Sequence, residues 1–222
     1  MGTCTETEIV IDKHKGLPVT KIASYVFYHS CQIVSVTLGE SIERIGTYAF
    51  SDCDKLVEVI NKSSLVLEKG SSSYGSVANY ALKIHSGESE IVHQGEYIFY
   101  TYENKNYLLG YTGEGVDIVL PDYYNGQTYE IYESAFNSLD IKSVTIGNGA
   151  TRIGDWCFAY CYDLIRLVIP VSVKSIGSEV FHWSNNVEEI KYRGTEEEWN
   201  EISINSYWDE NYVTMTYGYT GK

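Results

Sequence analysis

The chain of 222 residues has only 3 prolines and 2 methionines, and its 16 Lys and Arg are outnumbered by 30 Asp and Glu. These scarcities exclude a good deal. A net charge of −14 repels a phosphate backbone instead of neutralising it, which argues against nucleic acid and equally against anionic membrane surfaces. No run approaches the roughly 20 apolar residues of a membrane span, so no membrane insertion is expected. The start lacks a charged n-region followed by an apolar stretch, and Glu6 stands where a myristoylation signal needs Ser or Thr. Such a start fits a cytosolic protein, or a segment of a longer exported chain. The 5 cysteines are odd in number and follow no scaffold spacing, so buried thiols are expected in place of a disulfide framework.

Signals for site chemistry are equally sparse. Cys157 and Cys161 are spaced as two metal ligands on a helical turn, but no His or Cys pair completes a set of four. The His residues share no motif with Ser or Cys, and no Gly-rich phosphate loop follows a strand. No Asp-x-Asp-x-Asp run suggests calcium. The acids Glu188-Glu189, Glu196-Glu197-Glu198 and Asp209-Glu210 are candidates for general acid and base, yet nothing sets two carboxyls about 5–10 Å apart across a cleft. No catalytic residue, metal or cofactor is expected.

What is abundant is Tyr, with 21 copies, Gly, with 19, and one repeated skeleton. It reads Ile, four on a small residue, then Phe, three on Cys or Ser, and then spaced aliphatics. Its copies begin Ile22-Val26-Phe27, Ile45-Ala49-Phe50, Ile131-Ala135-Phe136, Ile153-Cys157-Phe158 and Ile176-Val180-Phe181. A fixed period of 22 to 23 residues is the mark of a solenoid, in which each unit buries its apolar face against its neighbours. Each copy ends in period-two alternation, as in Val36-Thr37-Leu38 and Ile190-Lys191-Tyr192, which predicts short half-buried strands stacked as a parallel ladder. The Ala-Phe-x-x-Cys centre has the spacing of one helical turn, and Gly46, Gly154 and Gly177 suit a bend before it. Ile9-Val10-Ile11 and Ile118-Val119-Leu120 read as extra rungs.

Between the two blocks, Asn61 to about Gly115 shows no repeat. It contains the Ser/Gly-rich Lys69 to Ser76 and two aromatic runs, Tyr97–Tyr102 and Tyr107–Tyr111, about a polar turn at Glu103–Asn106, which read as a β-hairpin. Thr195-Glu196-Glu197-Glu198 is a capping box, predicting a short helix that covers the last rung, and the Tyr-rich tail from Asn205 offers a final strand.

The stretch Ile153 to Pro170, Ile-Gly-x-x-x-Phe-x-x-Cys-x-x-Leu-x-x-x-x-Ile-Pro, resembles the BspA-type (Treponema pallidum-like) leucine-rich repeat. The tail Tyr192 to Asn200 and the insert around Gly95-Glu96-Tyr97 and Asn106–Tyr111 are similar to parts of such arrays. Ser30, Leu139 and Cys157 depart from the pattern in ways a core tolerates. The expected fold is therefore an α/β, strand-rich, right-handed leucine-rich-repeat solenoid with short helical turns and an inserted β-hairpin. Its expected parts are a first repeat block at 1–60, the hairpin segment at 61–115, a second block at 116–193 and a cap at 194–222. The resemblance implies an extracellular or cell-surface bacterial binding protein, in some members an adhesin, with no catalytic residues. This chain then reads as a fragment of such a protein.

Leucine-rich repeats usually bind on the exposed face of the ladder. The residues between the inward positions are thus the candidates: Glu8, Ser35, Thr37, Glu58, Asp117, Ser143, Thr145, Arg166, Glu189 and Lys191. The expected partner is a host or bacterial surface protein. A glycan bound by exposed Tyr of the ladder or hairpin is the alternative. The hairpin aromatics Tyr97, Phe99, Tyr100, Tyr102, Tyr107 and Tyr111 form a second candidate surface, of which alternate members must face the core.

Overall fold

The computed structural model describes residues 6–205, 207–208 and 213–221. It divides into two compact units, one up to Ile91 and one from Val92 onward.

In the first unit the alternating segments Glu8–Ile11, Ser35–Leu38, Glu58–Asn61 and Lys83–His85 form a four-stranded parallel ladder in that order. Val36, Leu38 and Val59 point inward and are fully buried. They meet Ile33, Ile42, Phe50, Cys53 and Leu56 in one core. A second line of parallel pairing, Lys21–Ile22 with Arg44–Ile45, runs along another face of the same coils.

The second unit repeats the plan. Asp117–Val119, Ser143–Thr145, Arg166–Ile169, Glu189–Tyr192 and Thr214–Thr216 form its five-stranded parallel ladder. On another face, Tyr129–Ile131, Ala150–Ile153, Ser175–Ile176 and Ser203–Ile204 pair in parallel. The hairpin Tyr97–Tyr102 and Lys105–Tyr111 joins that sheet, its second strand parallel to Tyr129–Ile131 and its first antiparallel to Val92–Gln94. Its loop is two residues, Glu103 and Asn104, both with positive φ, so Lys105 and Asn106 belong to the strand and not to a four-residue turn. The helix Glu196–Asn200 is closed by the expected capping box: the Glu198 N–H donates to Thr195 Oγ1 at 3.2 Å, and the Thr195 N–H donates to Glu198 Oε2 at 2.8 Å. Trp199 and Ile202 bury against the core, and Thr214–Thr216 is the final strand.

The Phe turns differ from the expected helical turn. In every copy the residues two before and two after the Phe have positive φ: Tyr25 and His29, Tyr48 and Asp52, Ser134 and Ser138, Trp156 and Tyr160, Glu179 and Trp183. None is Gly, so the conformation carries a steric cost that local preference does not explain. Bonds between coils hold it. Phe27 N–H donates to Ala49 O, Phe136 N–H to Cys157 O and Phe158 N–H to Val180 O, each at 2.9 Å. Flanking amides of the turns repeat the pattern, as in Tyr160 N–H to His182 O at 2.8 Å. The turns are thus a further hydrogen-bonded ladder. The rings stack along it, Phe27 on Phe50 at 5.0 Å and Phe136 on Phe158 at 5.3 Å. Val26 is the exception to the inward reading at 46% exposure.

The Cys slot has a role beyond filling space. Cys53 Sγ donates to Phe27 O at 3.1 Å, Cys161 Sγ to Phe136 O at 3.0 Å and Ser184 Oγ to Phe158 O at 2.6 Å. Each satisfies a carbonyl of the coil before it, which is why Cys and Ser interchange there. The glycines after the leading Ile have no positive φ. Their reason is close approach between coils: a Cβ at Gly154 would lie 2.5 Å from the Glu133 amide nitrogen.

The segment 61–115 contributes to both units, Lys83–His85 to the first ladder and 92–111 to the second unit's sheet. Its Ser/Gly-rich part forms another coil. Phe50 N–H donates to Gly75 O at 2.8 Å, so by register Ser76 stands in the Phe slot. Gly75 there has φ +64°, and a Cβ would meet the backbone of Gly46.

Candidate functional site

The predicted strand face takes two forms. In the second unit it is partly open, with Asp117 and Arg166 exposed and Ser143, Thr145, Glu189 and Lys191 half-buried. Along one row, Ser143 Oγ donates to Asp117 Oδ1 at 2.6 Å, and Arg166 Nε donates to Glu189 Oε2 at 2.7 Å. Lys191 Nζ lies 3.2 Å from the other Glu189 oxygen and 4.7 Å from the centre of the Tyr219 ring. The Arg166 bond, followed by Lys191, holds the Glu189 carboxyl below its usual range, and the same bond raises the Arg166 guanidinium. The neighbouring row contains exposed Val119, half-buried Thr145 and buried Val168. The in-register parallel pairing creates this arrangement, because it sets Asp117, Ser143, Arg166 and Glu189 side by side on successive strands. The result is a shallow polar surface whose charges are already matched.

In the first unit the same face is covered. Glu58 is 0% exposed and Ser35 3%, so neither is on an open surface as the alternation implied. The segment after the fourth strand crosses them. Glu58 Oε2 accepts from Ser35 Oγ and Ser89 Oγ, both at 2.8 Å; Glu58 Oε1 accepts from the Glu90 N–H at 2.9 Å and lies 3.1 Å from His85 Nε2. The Ser89 hydroxyl also lies 3.1 Å from Glu8 Oε2, which ties half-buried Glu8 into the group, while Thr37 is half-buried. A carboxylate removed from water needs such donors. Period-two reading sees which way Glu58 points but not the strap laid over it.

Of the hairpin aromatics, Phe99, Tyr100 and Tyr111 are buried, while Tyr97, Tyr102 and Tyr107 are partly accessible. Tyr97 OH donates to Val119 O at 2.7 Å. Among the acids considered for chemistry, Asp209 and Glu210 lie outside the described residues, as does Cys4. Glu188 is exposed, Glu189 is paired with Arg166, and Glu198 is engaged in the helix cap. Among the described residues no three His, Cys, Asp or Glu side chains come together as metal ligands, and no helix is long and apolar enough to cross a membrane.

The model of the BspA type leucine rich repeat region matches six copies over residues 20–110 and 116–217. The chain belongs to this family. Among solved structures, it is 22% identical to a leucine-rich repeat protein from Bacteroides capillosus, with 58% of this chain and 99% of that one covered at a TM-score of 0.48. It is 22% identical to the leucine rich repeat protein of T. pallidum, over 83% of this chain and 58% of that one, with a TM-score of 0.30. It is 17% identical to a leucine rich cell surface protein from Faecalibacterium prausnitzii, over 89% and 63%, with a TM-score of 0.33. No curated protein matches. BspA-type repeats are scaffolds of the kind that bind proteins, and no enzymatic family is indicated.

Proposed function

We propose that this chain is a non-catalytic binding module of a bacterial cell-surface or secreted protein, mediating adhesion or another protein–protein contact through the strand face of its second unit. The observation that carries the reading is the row Asp117, Ser143, Arg166 and Glu189, joined by Lys191 of the neighbouring row, whose charges are matched in advance and project from hydrogen-bonded strands. A surface ordered before contact loses little entropy on binding, and matched charges select partners more than they add affinity. The Faecalibacterium neighbour, described as a cell surface protein, supports the location.

The test is a binding array of extracellular host proteins and bacterial surface proteins, probed with the wild type and with Thr145→Arg and Arg166→Ala. Thr145→Arg introduces bulk at the middle of the face, while Arg166→Ala removes an exposed ion pair worth about 0–1 kcal/mol to stability. Partners that bind the wild type should lose both folded variants. Equal binding by all three proteins rules out this face.

A further inference from the structure

A cleft of about 430 Å³ in the second unit is lined by Asn104, Lys105, Asn106, Gln127, Thr128 and Glu130, with Tyr129 and Thr151. Two tight turns build its rim. Glu103-Asn104 and Asn125-Gly126 each place both central residues at positive φ, the geometry of a type I′ turn. The second is closed by reciprocal bonds, Tyr124 N–H to Gln127 O and Gln127 N–H to Tyr124 O, both 2.9 Å. Buried Asn106 ties the turns together: its Nδ2 donates to Gln127 Oε1 and to Thr128 O, both at 3.1 Å, and its Oδ1 accepts from Thr101 Oγ1 at 2.9 Å. This fixes the Gln127 amide with its oxygen engaged and its Nε2 left as a donor. Tyr107, strand partner of Glu130 and packed edge-on against Tyr132 at 5.5 Å, flanks the site.

We propose that this cleft binds a neutral carbohydrate. The lining decides the ligand class. It is mainly polar, so an apolar group gains little there. Its one cation and one anion neutralise each other, Lys105 Nζ lying 3.4 Å from Glu130 Oε1. A phosphate or carboxylate would therefore meet Glu130, and an amine would meet Lys105. What remains is the Asn104 amide, the Gln127 Nε2 and the Thr128 hydroxyl, neutral groups that donate and accept as sugar hydroxyls do. The volume lies within the roughly 300–1,000 Å³ of small-molecule sites. This site is separate from the strand face and does not depend on it.

The test is ¹⁵N NMR of the intact chain titrated with methyl β-galactopyranoside, N-acetylglucosamine, lactose and cellobiose, up to about 10 mM, well above a millimolar Kd. Saturable shifts should appear at the side-chain amides of Gln127 and Asn104. Asn104→Gly, which keeps the turn, and Gln127→Ala should each weaken binding about fivefold, the loss of one hydrogen bond. Thr145→Arg should leave the titration unchanged, which separates this site from the strand-face reading. Absence of saturable shifts with all four sugars, or equal shifts in wild type and both folded cleft variants, overturns the proposal.

Discussion

Glu58 offers the sharpest test of the covered face in the first unit. Its carboxylate is fully buried and surrounded by Ser35, Ser89, the Glu90 N–H and His85. In Glu58→Gln one oxygen becomes an NH2. The amide keeps its oxygen toward the Glu90 N–H, which can only donate, and turns its NH2 toward the two serines, whose hydroxyls can rotate and accept. The shape survives while the charge assistance is lost, so the cost should be about 1.5–3 kcal/mol. Glu58→Ala strands the donors in a space closed to water and should cost about 3–5 kcal/mol. Urea unfolding of the intact chain, with hydrogen exchange followed in the peptide covering 86–91, measures both effects. Exchange there should speed up in the order wild type, Gln, Ala. A Glu58→Ala loss below about 0.5 kcal/mol, with exchange unchanged at 86–91, would refute the latch.

The remaining predictions follow from the coils. Phe158, 0% exposed and stacked between Phe136 and Phe181, should cost about 3–5 kcal/mol as Ala in chemical denaturation, and Phe27→Ala clearly less because Phe27 is half-buried. Cys161→Ser should be close to neutral in the same assay because the hydroxyl can still reach Phe136 O, whereas Cys161→Val should lose about 1–3 kcal/mol by leaving that carbonyl unpaired. Thr195→Ala should cost about 0.5–2 kcal/mol, read as loss of helix protection near Trp199. Burial pushes the Cys53 thiol from 9.0 up to about 12, so its neutral form is favoured by folding. That stability is complete below pH 9 and declines as pH rises toward 12, and at pH 8 a thiol reagent should modify half-exposed Cys31 well before Cys53.

The core was legible because solenoid burial depends on residue type at fixed spacing. Ile45, Ala49, Phe50, Cys53, Leu56 and Val59 could be assigned inward without knowing where any backbone atom lies, and only half-buried Ile45 falls short of full burial. The shape of the turn was hidden for the opposite reason. Tyr48, Trp156 and Glu179 have side chains that give no hint of positive φ, and the hydrogen bonds that impose it come from the next coil. The coil at 61–85 bears no repeat signature in the sequence because Ser76 occupies the Phe slot and removes its strongest mark.

The candidate surfaces divide along the same line. Alternation along a strand tells which side chains leave the core, and Arg166, Glu189 and Lys191 do project from the ladder. Alternation cannot tell what lies over them, since Ser89 and Glu90 reach Glu58 from about thirty residues away. The cleft beneath the hairpin is still less visible, because Asn104 and Gln127 are ordinary turn residues until two type I′ turns, separated by a coil, place them on one rim. Repetition therefore specifies the scaffold with few kinds of residue. The strap over Glu58 and the hairpin above Gln127 lie where the repeat is interrupted, and there side chains such as Ser89 and Asn106 make contacts that the repeat does not specify.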